Sequence, residues 1–122
     1  MAQTAYPRQQ MQTHTMAQEF ATRRPNRPPT HPGAVLRDTV LPALGISVTD
    51  VARHLRVTRQ QVHRILSEQA GISPEMALRL GKFCGNGPEL WINMQKAYDM
   101  WHARRKLGRE VDTIPTAEPV DA

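Results

Sequence analysis

With 122 residues, and 16 Lys and Arg against 11 Asp and Glu, the chain has room for one small domain and carries a basic surplus. Its lone cysteine, Cys84, excludes an internal disulfide and fits a reducing, cytoplasmic setting. No apolar run reaches the roughly eighteen residues of a membrane span, and the opening MAQTAYPRQQ lacks the charged-then-apolar order of a secretory signal, so no membrane is expected as a partner.

The net charge of +5 is informative through its location. Residues 1–30 hold four basic side chains against one acidic, residues 31–72 hold five against three, and residues 73–122 hold seven against seven. An ordinary solvated basic surface accounts for the total. The placement, in the leading segment and the stretch after it, favours a phosphate-binding face.

Residues 1–30 are rich in Gln, Thr, Pro and Arg without any hydrophobic period. They bury too little to offset the entropy of ordering, so a disordered basic tail and linker is expected, with RRPNRPPTHPG also able to add phosphate contacts. Pro32 suits the first turn of a helix. Ala34, Val35, Leu36, Val40 and Leu41 then form a short amphipathic stretch that Pro42 should end. Ser47 caps a second helix, with Asp50 three residues on, and Val51, Ala52 and Leu55 form its buried side. Thr58 and Gln61 make a full capping box for a third helix that buries Val62, Ile65 and Leu66.

Gly71 breaks the pattern. Ser73-Pro74-Glu75 opens a fourth helix whose apolar side is Met76, Ala77, Leu80, Phe83 and Cys84, and Gly85-Asn86-Gly87 stops it. Pro88-Glu89 opens a fifth in the same way. Its stripe is Leu90, Trp91, Met94, Ala97, Tyr98 and Trp101, and it should end near Arg104–Lys106. Five helices and no usable strand signal predict an all-α fold. The expected organisation is a basic tail at 1–30, a DNA-binding and dimerisation domain at 31–106, and a C-terminal tail at 107–122.

The second and third helices abut with no room for a long loop, which is the spacing of a helix-turn-helix. Arg59, Gln60, His63, Arg64 and Ser67 lie away from the buried side of the third helix. Arginine can bridge a guanine edge and glutamine an adenine edge, so Arg59 and Gln60 are the leading base readers, joined by Gln61 and His63. Gln61 is ambiguous because the capping box also uses its side chain. Thr58, Arg53, Arg56, Arg64 and Ser67 are assigned to phosphates, which position without specifying sequence. The alternative, a merely solvated basic helix, does not explain two abutting, capped helices with clustered Arg and Gln.

The aromatic stripe on the fifth helix is expected to serve core and dimer interface, through Trp91, Met94, Tyr98, Met100 and Trp101. A homodimer would set two recognition helices about 34 Å apart, matching a palindromic operator on double-stranded DNA. The five histidines form no pair at ligand spacing, and Cys84 has no base beside it. No metal, cofactor or catalytic residue is expected, and the protein is not read as an enzyme.

Two long segments, HPGAVLRDTVLPALGISVTDVARHLRVTRQQVHRIL and GISPEMALRLGKFCGNGPELWINMQKAYDMW, resemble the XRE/Cro-type (lambda-repressor-like) helix-turn-helix of HigA antitoxins over roughly residues 31–103. HPG, VTRQQVHRI and PELWINMQKAYD carry the likeness. Two positions depart from it: Val48 stands where the family usually has Gln, and Arg56 stands at a turn position commonly held by Gly. Residues 1–22 lie outside it. The resemblance implies a bacterial type II antitoxin that represses its own operon and neutralises a HigB-like toxin, a ribosome-dependent mRNA interferase. The alternative is a stand-alone XRE-family repressor with no toxin partner.

Overall fold

A computed structural model of the chain describes residues 27–120. The disordered tail expected at residues 1–30 lies, for residues 1–26, outside the described residues. Among those described there are five helices and no strand.

The first helix, α1, runs through three joined pieces: an α-helical turn Pro32–Val35, a π-helical segment Leu36–Val40, and a last α-helical turn Leu41–Leu44. Pro42 was expected to end this helix, and it does not. The Leu41 N–H reaches back five residues to the Leu36 carbonyl, so the ladder widens just upstream of the proline. Pro42 then sits in the opening turn of a new α-helical piece, where its missing N–H removes no bond. The stop comes at Gly45, left-handed at φ 65°, whose N–H donates to the Leu41 carbonyl at 2.9 Å.

α2 (Val48–Leu55) starts where Ser47 Oγ accepts from the Asp50 N–H at 3.1 Å. α3 (Arg59–Leu66) starts on the expected capping box: Thr58 Oγ1 accepts from the Gln61 N–H at 3.1 Å, and Gln61 Oε1 accepts from the Thr58 N–H at 2.9 Å. α4 (Pro74–Cys84) starts on Ser73 Oγ, which accepts from the Met76 N–H. α5 (Pro88–Leu107) is the long element, and a 3-10 segment Gly108–Thr113 follows it. The stretch expected as a tail from residue 107 thus begins with an exposed turn of 3-10 helix.

Leu36, Val51, Leu55, Val62, Leu80 and Trp91 are almost wholly buried and meet at the centre of the bundle. Burying each aliphatic side chain stabilises the fold by about 1.5–3 kcal/mol. Trp91 is the largest of the set, and its Nε1–H donates to Asn86 Oδ1 at 3.1 Å, so its one polar atom is satisfied. Two glycines permit close contacts. A Cβ on Gly33 would lie 1.9 Å from the Ile65 carbonyl oxygen, and one on Gly81 would lie 2.3 Å from the Gly87 carbonyl carbon. The first contact fixes α1 against the end of α3; the second fixes α4 against the start of α5.

Candidate nucleic-acid interface

Val62, Ile65 and Leu66 anchor α3 in the core, while Arg59, Gln60, His63, Arg64 and Ser67 are exposed on its other side. Arg59 and Gln60 are the first two residues of α3, beside its positive dipole end. Arg59 Nη1 lies 3.4 Å from Thr49 Oγ1 on the first turn of α2, so the leading edges of the two helices form one surface. Gln61 is differently occupied. Its Oε1 holds the Thr58 N–H and hydroxyl, so reading a base would require breaking the capping box.

The residues assigned to phosphates are all exposed. Arg53 Nη2 rests on Asp50 Oδ1 at 2.9 Å in a solvent-exposed pair, a contact of little net worth and easily released to a phosphate. Arg56 adopts the left-handed conformation at φ 61° and ends α2 with its side chain in solvent. Ser67 Oγ donates to the Arg64 carbonyl at 3.2 Å, which caps the end of α3.

Two arginines that sequence reasoning missed hold this surface from behind. Arg37 on α1 donates from Nη1 to the Leu66 carbonyl at 2.9 Å, at the end of α3. It also forms a double hydrogen bond to Asp38 and approaches Glu68 at 3.4 Å. The hydrogen bond from Arg37 holds the Asp38 carboxyl below the usual range and raises the pKa of the guanidinium. Arg79 on α4 donates from Nη1 to the Leu55 carbonyl at 2.7 Å, at the end of α2, and from Nη2 to Glu75 at 3.2 Å. Each guanidinium therefore satisfies an otherwise open carbonyl at the end of one helix of the pair.

A third support is His31, only 4% exposed, whose Nδ1 accepts from the Gly33 N–H at 2.8 Å. Its ring and that of Tyr98 meet in a T-shaped arrangement at a centroid distance of 4.7 Å. The bond requires Nδ1 without a proton. Burial lowers the pKa of this histidine, against an opposing pull from Glu68 and Asp99. Gln95, also buried, joins the segment after α3 to α5: its Oε1 accepts from the Ile72 N–H at 2.7 Å and its Nε2 donates to Asp99 at 2.9 Å.

The residues expected at a dimer interface separate into two groups. Trp91 has no exposed surface and belongs to the core alone, because α5 lies against α4 along its first turns; this corrects its assignment to an interface. Met94 and Tyr98 are half-buried within the protomer. Met100 is exposed, and Trp101 is half-buried beneath the Arg105 guanidinium, 4.9 Å from the ring centroid.

Two short capped helices joined by a left-handed turn, buried on one side and exposing Arg and Gln on the other, define a helix-turn-helix domain of the DNA-binding class. A family profile described as Helix-turn-helix matches residues 36–91. Virulence-associated protein I of Dichelobacter nodosus is 40% identical over 73 residues, 60% of this chain and 68% of that protein. Antitoxin HigA-1 of Vibrio cholerae is 31% identical over 92 residues, 75% of this chain and 87% of the relative. The chain belongs to the XRE-type helix-turn-helix family, among the HigA-type antitoxins.

Solved structures agree. Antitoxin GraA superposes with a TM-score of 0.70 at 35% identity, over 75% of this chain and 100% of GraA. Pseudomonas aeruginosa antitoxin HigA, solved with the higBA promoter, gives 0.68 at 36% identity, over 74% of this chain and 99% of that one. GraA in complex with its operator gives 0.68 at 36% identity, over 76% and 94%.

Proposed function

We propose that this chain is a cytoplasmic antitoxin that binds a palindromic operator as a homodimer, represses its own operon and neutralises a HigB-like mRNA interferase. The observation that carries the DNA half is the exposed first turn of α3, with Arg59 and Gln60 on a backbone held at both ends. Arg59 and Gln60 read base edges, His63 lies further along the same exposed face, and Thr58, Arg53, Arg56, Arg64 and Ser67 contact phosphates. Gln61 supports the reading helix through its capping box rather than through a base.

The homodimer is supported by the exposed apolar surface around Met100 and Trp101 on the outer half of α5. The toxin half is supported by the antitoxin relatives. The second reading, a stand-alone repressor, is favoured by the anchors from Arg37 and Arg79, both of which serve the DNA face. Co-expression with the adjacent reading frame distinguishes the two. Rescue of growth and co-elution on size exclusion are expected. A neighbour that is harmless when expressed alone, together with retained operator binding, would establish the stand-alone repressor.

A further inference from the structure

We propose that Gln95 is a positioning residue for operator recognition: it joins the exit of α3 to the dimerising helix α5 and so fixes the half-site spacing that two recognition helices accept. The proposal rests on the DNA-binding homodimer read above and names what sets its geometry. Gln95 is polar yet only 8% exposed, and both ends of its amide are used. Oε1 accepts from the Ile72 N–H at 2.7 Å, and Nε2 donates to Asp99 Oδ1 at 2.9 Å. The backbone can lie against that amide because residue 71 is glycine: a Cβ there would stand 2.8 Å from Gln95 Cδ and 3.0 Å from Oε1. A buried amide adds little stability over an apolar side chain of its size, but its bonds are directional and hold one arrangement.

What Gln95 joins is firm on both sides. Towards the DNA face, the N–H groups of Gln69 and Ala70 donate to the Arg64 carbonyl at 2.8 and 3.1 Å, which folds the exit onto the end of α3. Towards the second protomer, Met100 and Trp101 follow Gln95 by five and six positions on the same helix, about 8–9 Å of rise. A second bridge runs alongside. The Tyr98 ring, three positions after Gln95, meets His31, and Gly33 in the turn that His31 caps lies against the Ile65 carbonyl of α3. Two recognition helices about 34 Å apart each lie about 17 Å from the two-fold axis. On an arm of that length a swing of about 11° moves the helix by about 3.4 Å, one base-pair step. Small angles between α3 and α5 therefore decide whether both half-sites are met.

The test compares the full-length chain with its Gln95→Met variant. Fluorescence anisotropy measures binding to the palindrome upstream of its reading frame, with the half-sites at their own spacing or moved one or two base pairs nearer or farther. A duplex with one half-site is included, and size-exclusion elution and helical circular dichroism are recorded for each protein. The unaltered chain should lose about tenfold or more in affinity for each altered spacing, because one half-site then forfeits its base contacts. Gln95→Met should reduce that ratio to about threefold or less while binding the single half-site as before. A merely structural role would weaken all duplexes equally and keep the ratio, and that result overturns the proposal. If Gln95→Met loses its helical signal, Gly71→Ala decides: its added Cβ displaces the same amide from an exposed position, and a ratio kept at the unaltered value overturns the proposal. Arg59→Ala is the control, expected to weaken every spacing alike. An unaltered chain that elutes as a monomer or ignores spacing removes the homodimer reading and the proposal with it. A sharp preference that survives in the variants removes the proposal alone.

Discussion

At the scale of single residues, two adjacent glutamines are placed differently. Gln60 is exposed beside Arg59 on the outer face of α3, whereas Gln61 is bound into the capping box at 2.9 and 3.1 Å. Arg59→Ala and Gln60→Ala should each cost about 1–3 kcal/mol in operator affinity and relax base preference, with melting temperature nearly constant. Gln61→Ala should instead lower stability by about 1 kcal/mol, read as a drop in thermal midpoint. A Gln61 variant that melts normally but loses affinity would return that residue to the base readers. The capping box was legible in the sequence because its partners are three positions apart. Arg37 and Arg79 were not, because their acceptors are main-chain carbonyls 29 and 24 positions away, and a carbonyl leaves no mark in a sequence.

Elements are controlled here by their ends. α2 stops at Arg56 in a left-handed conformation that costs a non-glycine residue on the order of 1 kcal/mol. Arg56→Gly should therefore stabilise the domain by up to about 1 kcal/mol and simultaneously weaken binding to all DNA, lowering the salt slope by about 0.9. Thermal melts and salt titrations of the one variant check both effects. α1 begins on His31, whose neutral form the fold favours because Nδ1 must accept from Gly33 within a buried site. The unfolded chain binds that proton more readily, so the stabilisation is complete above the ordinary histidine pKa of about 6.5 and is lost as pH falls below it through the folded value. The thermal midpoint should fall on acidification over that window, and His31→Asn, which can still cap, should flatten the dependence. An equally steep profile in the variant would exclude His31 as the source. The misreading of Pro42 belongs to this scale as well. Proline rules describe the α ladder, and the π-helical segment before Pro42 removes the conflict on which those rules depend.

For the molecule as a whole, α5 has two regions with different work. Its first half closes the core through Trp91 and Gln95, and its second half extends outward with Met100 and Leu107 exposed. Trp91→Ala should cost about 3–5 kcal/mol and leave the domain marginally folded. The double change Met100→Ser with Trp101→Ala should spare the fold and shift size-exclusion elution towards the monomer. Retention of a dimer would move the interface elsewhere. The all-α class and the helix-turn-helix were legible because their periods and caps are local. The division of the aromatic stripe was not, because equal spacing along one helix cannot tell where the neighbouring helix ends. Gln95 was missed for a related reason: it is a polar residue within the buried side, justified only by the Ile72 N–H that it meets.

Arg37 and Arg79 hold the helix pair by main-chain carbonyls and not by side chains. Such anchors are indifferent to which amino acids stand at positions 59, 60 and 63. If those three positions read the operator as proposed, exchanging them should rewrite base preference while the scaffold beneath keeps its shape.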